Sequence, residues 1–132
     1  METELPAVMA LSYLGDAVYS LYVRQRLVDM GISHAGVLNR LSLGFVTAPK
    51  QAELSKKLLP LLTEKEIGIY KRAFNHKGLS HPAHATYGEY RAATGFEAVL
   101  GALHYLNDKE RLAYLLDTIH ENEFIAKEDI PK

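Results

Sequence analysis

The chain contains no cysteine, which excludes disulfides, thiolate metal sites and cysteine nucleophiles and leads us to expect a reducing compartment. No run approaches the roughly 18–20 consecutive apolar residues of a membrane-spanning helix. The opening "METELPAVMA" carries two acids where a secretory leader is basic. We therefore expect no membrane partner and a cytoplasmic location. Strong net charge is missing as well: 15 Lys and Arg against 16 Asp and Glu leave −1, which argues against a nonspecific polycation. Sustained period-two alternation, Asn-Gly or Asp-Gly hairpin turns, internal repeats and low-complexity tracts are all lacking, so neither a β-rich nor a repeat architecture is expected.

What is present has the balance of an ordinary globular chain. With 132 residues, 48% hydrophobic and 23% charged, one compact domain over residues 1–132 is expected. Charge is unevenly distributed. Residues 50–91 hold eight Lys or Arg against four Glu, together with His76, His81 and His84, whereas residues 108–132 hold seven acids and four bases. The basic segment is suited to polyanions, although solvated helix faces of differing sign explain such a pattern equally well.

Periodicity and caps predict an all-α helical bundle. A first helix is expected from about Pro6 to Met30, ended by Gly31 in a left-handed cap, with Leu11, Leu14, Val18 and Leu21 facing a neighbour. Ser33 is expected to cap a second helix carrying Val37, Leu38, Leu41 and Phe45. Thr47 and Pro49 open a third, with Leu54, Leu58, Leu61 and Leu62 on one side. "TEKE" at 63–66 is a capping box for a fourth helix reaching about Asn75. "NHKGLSHPAHATYG" at 75–88 reads as the main loop. A largely apolar helix follows in "EYRAATGFEAVLGALHYLN", and an amphipathic one in "DKERLAYLLDTIHENEF".

Two acids stand out against this pattern. Asp16 sits on the polar stripe of an otherwise apolar first helix, and Glu97 is the lone charged residue between Arg91 and Asp108. A buried, unpaired carboxylate costs several kcal/mol, so such an acid is usually paired, protonated or bound to a cation. Backbone capping by Asp16, an ion pair from Glu97 to Arg72 or Arg91, or simple solvent exposure are the plain alternatives. With oxygen ligands only, a hard ion such as Mg²⁺ is the matching cation, and in a basic neighbourhood that points to metal-assisted phosphodiester hydrolysis.

At these residues the chain resembles a known family. "LSYLGDAVYSLYVR" is similar to the ribonuclease III signature, close to L-E-F-L-G-D-A-V-L, and "TGFEAVLGALHYL" resembles that family's second acidic motif. "YLGDAVYSLYVR" with "YRAATGFEAVLG" is closer still to the Mini-ribonuclease III branch, which keeps the nuclease domain and lacks a double-stranded-RNA-binding domain. The resemblance implies a homodimeric, all-α nuclease domain that cleaves double-stranded RNA with Mg²⁺, or with Mn²⁺ in its place, to give 5′-phosphate and 3′-hydroxyl ends. It also implies a role in maturation of precursor large-subunit (23S) ribosomal RNA, with which a ribosomal-protein helper is compatible.

Asp16 and Glu97 match the family's acidic pair, which the resemblance casts as catalytic metal ligands. Ser12 and Thr94 stand where the general family has a glutamate and an aspartate, and they would act on the metal through water. Tyr13 matches an aromatic that inserts into the partner subunit; a core tyrosine is the alternative. "KRAFN" keeps Arg72 and Asn75 of a basic segment in the Mini-type pattern, and His76, Lys77 and Arg91 complete the expected RNA-binding set. His81 and His84 have the i, i+3 spacing of a metal pair without a third ligand. Two other functions remain open from the sequence: a catalytically impaired RNA-binding and dimerisation module with the same fold, because two acidic positions are Ser12 and Thr94, and a plain helical interaction domain.

Overall fold

The computed structural model describes residues 4–78 and 84–124. Six α-helices, α1 (Val8–Asp29), α2 (Ala35–Val46), α3 (Ala48–Leu58), α4 (Glu64–Phe74), α5 (Tyr87–Tyr105) and α6 (Lys109–Ile119), and a 3₁₀ turn at Leu59–Leu61 make up the regular structure of the described residues. The all-helical expectation holds. His81, one of the i, i+3 histidine pair, and the acidic tail beyond Phe124 lie outside the described residues.

Local chemistry sets most of these boundaries. Gly31 follows α1 with φ +88°, the left-handed conformation that favours glycine. At α4 the Thr63 hydroxyl accepts from the Glu66 amide and the Glu66 carboxylate accepts from the Thr63 amide, a closed capping box. An identical device opens α5. Thr86 and Glu89 reciprocate in the same way, so α5 begins at Tyr87 and the expected loop ends two residues sooner than its composition suggests. The T-x-x-E pattern of "TYGE" was the signal for it. Ser33, by contrast, does not cap α2: His34 occupies the N-cap position, without a side-chain bond. The last helix ends at Ile119, short of its apolar pattern, and the chain continues as turns to Phe124.

Helix α5 is the axis of the bundle, packing against α1, α3, α4 and α6. Its buried residues, Phe96, Val99, Leu100 and Leu103 among them, meet Leu11, Tyr19 and Val23 of α1, Leu54 and Leu58 of α3, Ile69 and Tyr70 of α4, and Leu115 and Leu116 of α6. The tightest seam joins α1 to α5. A Cβ added to Gly15 would lie 1.7 Å from the Glu97 carbonyl oxygen, and one added to Gly101 would lie 1.9 Å from that of Leu11. Backbone therefore touches backbone at both points, which only glycine permits. Pairing 15 with 97 and 11 with 101 makes the helices antiparallel.

The buried stripe of α1 is Leu11, Ser12, Gly15, Tyr19, Val23 and Leu27, which corrects the face expected from the sequence. Leu21 is 65% exposed and Val23 is buried. The expected Leu11, Leu14, Val18, Leu21 series follows apolar character, whereas the close approach to α5 is set by the small residues Ser12 and Gly15. Helix α2 has no fully buried residue and lies at the periphery. At the far end of the α1–α5 seam, His120 is buried, with Nδ1 2.7 Å from the Leu116 carbonyl oxygen and Nε2 2.9 Å from the Tyr19 hydroxyl. A carbonyl only accepts, so Nδ1 carries the proton and the tyrosine donates to Nε2. Burial lowers the His120 pKa to about 4.

Candidate active site

The glycine contacts fix where the two acids meet. Ser12 and Asp16 are one turn apart on α1, bracketing the point where Gly15 touches the backbone of Glu97. The Ser12 hydroxyl donates to Glu97 Oε1 at 3.3 Å, and the Asp16 carboxyl interacts with that of Glu97. Asp16 is exposed and Glu97 half-buried, so the pair opens to solvent at the edge of the seam while Ser12 forms its floor.

Among the described residues no base forms an ion pair with either acid; the cations Arg26, Lys50, Lys57 and Arg111 bind other carboxylates. Burial first, and the neighbouring Asp16 second, raise the Glu97 pKa from its ordinary 4.5 to about 8, despite opposing hydrogen bonds from Ser12 and Gln51. Two facing carboxylates in this setting share a proton or hold a cation. Oxygen donors with no thiolate or imidazole beside them suit a hard divalent ion. No group of three or more His, Asp or Glu residues converges among the described residues.

The other sequence candidates fall into three places. Thr94, buried one turn before Glu97, donates its hydroxyl to the Tyr90 carbonyl at 2.8 Å. Arg72, Asn75, His76 and Lys77 are exposed at the C-terminal end of α4, and Asn75 is that helix's C-cap. Arg91 packs its guanidinium over Tyr87, 4.5 Å from the ring centre, and lies 5.8 Å from the Phe74 ring, joining the ends of α4 and α5. Six residues separate Arg91 from Glu97, about 9 Å along the helix axis. Tyr13 is 85% exposed, which removes the core-tyrosine alternative for this residue.

Gln51, which is not among the residues singled out by the sequence pattern, is 2% exposed. It occupies the apolar stripe of α3 one turn before Leu54, and a polar residue on a buried stripe was the available signal.

The ribonuclease III domain model matches residues 9–109, a stretch that contains both acids. The chain is 41% identical over 111 residues to a Mini-ribonuclease 3 of Enterococcus faecalis, covering 83% of this chain and 84% of that protein. It is 42% identical over 118 residues to a Mini-ribonuclease 3 of Synechococcus sp., covering 89% and 83%. In three dimensions it superposes on the crystal structure of a Fusobacterium nucleatum protein with a TM-score of 0.81 and 29% identity, over 89% of this chain and 90% of that one. By motif, fold and relatives together, this chain belongs to the ribonuclease III family, in its Mini-ribonuclease branch.

Proposed function

We propose that the protein is a metal-dependent endoribonuclease that cleaves double-stranded RNA in the cytoplasm, with Asp16 and Glu97 as its catalytic, metal-holding pair. The observation that supports this reading is the pairing of two uncompensated carboxylates across the α1–α5 seam. A structural acid in such a place would be matched by a base. A divalent cation such as Mg²⁺ held there would polarise the phosphate and lower the pKa of the attacking water. Water adds to phosphorus, the bond from phosphorus to the 3′ oxygen breaks, and that oxygen takes up a proton, leaving 5′-phosphate and 3′-hydroxyl ends.

The chain's own residues supply placement. Ser12 holds Glu97 by its hydroxyl, and Asp16 presents the solvent-facing carboxylate. Thr94, buried one turn before Glu97, contributes through water. Arg72, Asn75, His76, Lys77 and Arg91 form a basic edge for the phosphates of a duplex, which is recognised by shape and backbone rather than by base sequence. Exposed Tyr13 supports a homodimer in which two sites address the two strands of a roughly two-fold substrate. Precursor 23S ribosomal RNA is the proposed substrate, as the family resemblance implies, with a ribosomal protein as helper.

The deciding experiment incubates purified protein with end-labelled duplex RNA, with Mg²⁺ supplied or chelated. Metal-dependent internal cuts bearing 5′-phosphates are expected. Duplex binding without cuts under any metal would select the catalytically impaired binding module instead.

A further inference from the structure

Two hollows of about 210 and 260 Å³ adjoin between α1 and α2, and Arg24, Asn39 and Ser42 line both of them. Ser20 adds a hydroxyl to the smaller one, and no Asp or Glu lines either. The cleft therefore offers one cation and several neutral hydrogen-bonding groups, with no carboxylate to occupy them. Arg26, two residues from Arg24, shows the contrast: it bonds Asp117 at 3.3 Å and the Tyr22 hydroxyl at 2.9 Å, and lies 4.5 Å from the centre of the Phe124 ring. Arg24 takes part in no ion pair or hydrogen bond among the described residues. Asp16, Ser20 and Arg24 follow one another at i, i+4 and i+8 along one side of α1, which sets Arg24 about 12 Å from Asp16 along the helix axis. Because α1 and α5 are antiparallel, the direction from Asp16 to Arg24 is also the direction from Glu97 to Arg91.

We propose that the α1–α2 cleft is a second contact for the backbone of the RNA duplex, in which Arg24 holds a phosphate while Asn39 and Ser42 hydrogen-bond the same strand. The inference rests on the duplex cleavage proposed above for Asp16 and Glu97, and it adds a site outside the basic edge of α4 and α5. A nucleic-acid duplex carries a charge about every 3.4 Å along its axis on each strand, so one seated at the acidic pair presents further phosphates within reach of a group 12 Å away. A backbone that crosses the pair toward this end of the bundle meets Arg91 from α5 and Arg24 from α1. The planar guanidinium takes a phosphate through two parallel N–H bonds. The neutral amide and hydroxyl beside it bond phosphate and sugar oxygens without adding charge, a mixture of donors that suits backbone contact rather than base reading.

Duplex affinity and its salt dependence, read apart from turnover, are the test. A fluorescently labelled RNA duplex is titrated with wild-type protein, Arg24→Gln, Asn39→Ala and Arg40→Gln at several salt concentrations, with Ca²⁺ in place of Mg²⁺ and the duplex verified as uncut; sedimentation mass is recorded alongside. Arg40 is exposed on α2 and lines neither hollow, so its variant removes the same charge outside the cleft. Arg24→Gln is expected to bind about tenfold more weakly, and its plot of log affinity against log salt to lose about one unit of slope, the signature of one phosphate contact. Asn39→Ala should bind about threefold more weakly with the slope kept, since a neutral group releases no counterion. Arg40→Gln should stay within about twofold of wild type. With Mg²⁺ supplied, the KM of Arg24→Gln should rise about tenfold at unchanged kcat, the mark of a residue that binds substrate and transition state alike. Wild-type affinity in Arg24→Gln or in Asn39→Ala overturns the proposal, and so does an equal loss in Arg40→Gln, which is the behaviour of diffuse surface charge. A weaker affinity accompanied by a changed sedimentation mass would make the cleft a contact between copies of this chain and overturn it as well. Failure of the wild-type chain to bind and cut duplex RNA would overturn the nuclease reading, and this inference with it.

Discussion

Two glutamates in this bundle are removed from water by similar helix packing and are treated in opposite ways. Glu66, in the first turn of α4, is buried, yet both of its oxygens are satisfied. Oε1 accepts from the Thr63 amide at 2.9 Å and from Arg111 Nη2 at 2.7 Å, while Oε2 accepts from Arg111 Nε at 3.0 Å. Burial alone would raise its pKa, but the arginine and the helix N-terminus outweigh it and hold the carboxyl below its ordinary range. Glu97 receives the Ser12 hydroxyl and faces a second acid, and its pKa rises to about 8. The same chain thus contains a full solution for a structural acid and withholds it from Glu97. Such withholding supports the ligand-holding role proposed for Glu97.

The largest expected effect comes from removing charge at the withheld site. Asp16→Asn and Glu97→Gln should each lower cleavage by about a thousandfold or more, since the charge stabilisation supplied by a bound metal is worth several kcal/mol. Stability should move the other way. In metal-free protein the folded Glu97 carboxyl gives up its proton near pH 8 and the unfolded one near 4.5. Between those values the folded state binds more protons, so this group's contribution is fully present below pH 4.5 and is lost as pH rises through 8. Glu97→Gln has no such loss. It should melt higher than wild type at pH 9, by about 5 °C or more, and the gap should close toward pH 5. Thermal melts in chelator across that range check this, and a variant that melts lower than wild type at every pH would make Glu97 a structural acid like Glu66.

Breaking the compensated glutamate should give the mirror image. Glu66→Gln removes the charged acceptor of a bidentate arginine and should cost about 2–3 kcal/mol of stability at pH 7. Cleavage by the folded fraction should stay at the wild-type rate. Here the folded pKa is depressed, so the unfolded state binds more protons below the ordinary carboxylate range. The contribution is present above pH 4.5 and is lost as pH falls through the lower folded value. Denaturant melts of wild type and variant should therefore converge in acid, whereas those of the Glu97 pair converge at pH 5 and separate in base. If both pairs followed the same pH trend, the contrast between the two sites would fail.

How much of this was legible in the sequence depended on whether the signal was local. Asp16 and Glu97 were visible because a lone charge interrupts each apolar helix, and the capping box at Thr63 and Glu66 was visible because all of its atoms lie within four residues. The pairing of Glu66 with Arg111 spans 45 residues and leaves no local trace. The buried face of α1 was misassigned for a related reason. Apolar character marked Leu21, but the seam is formed by Gly15 against Glu97 and Gly101 against Leu11, where the absence of a side chain, rather than its hydrophobicity, sets the contact. Leu21, Leu43 and Tyr13 remain exposed in the single chain, and apolar periodicity does not distinguish a face turned to a core from one turned to another molecule.

The smallest effect, and the finest test of the contrast, is expected at Ser12. Its hydroxyl stands toward Glu97 as Arg111 stands toward Glu66, but it is neutral and its bond is long at 3.3 Å. Such a bond contributes about 1 kcal/mol, so Ser12→Ala should lower kcat/KM by about fivefold. The hydroxyl favours the charged carboxylate over the protonated one. Removing it should therefore cost metal-free stability mainly at pH 9, where Glu97 is ionised, and little at pH 6, where the carboxyl carries a proton and itself offers a donor. Melting curves of the alanine variant at the two pH values, set beside its rate on duplex RNA, measure both consequences of the same bond. A loss of rate as deep as that of Asp16→Asn would instead make Ser12 a ligand in its own right. A stability loss equal at both pH values would mean that the hydroxyl packs the α1–α5 seam without acting on the charge of Glu97.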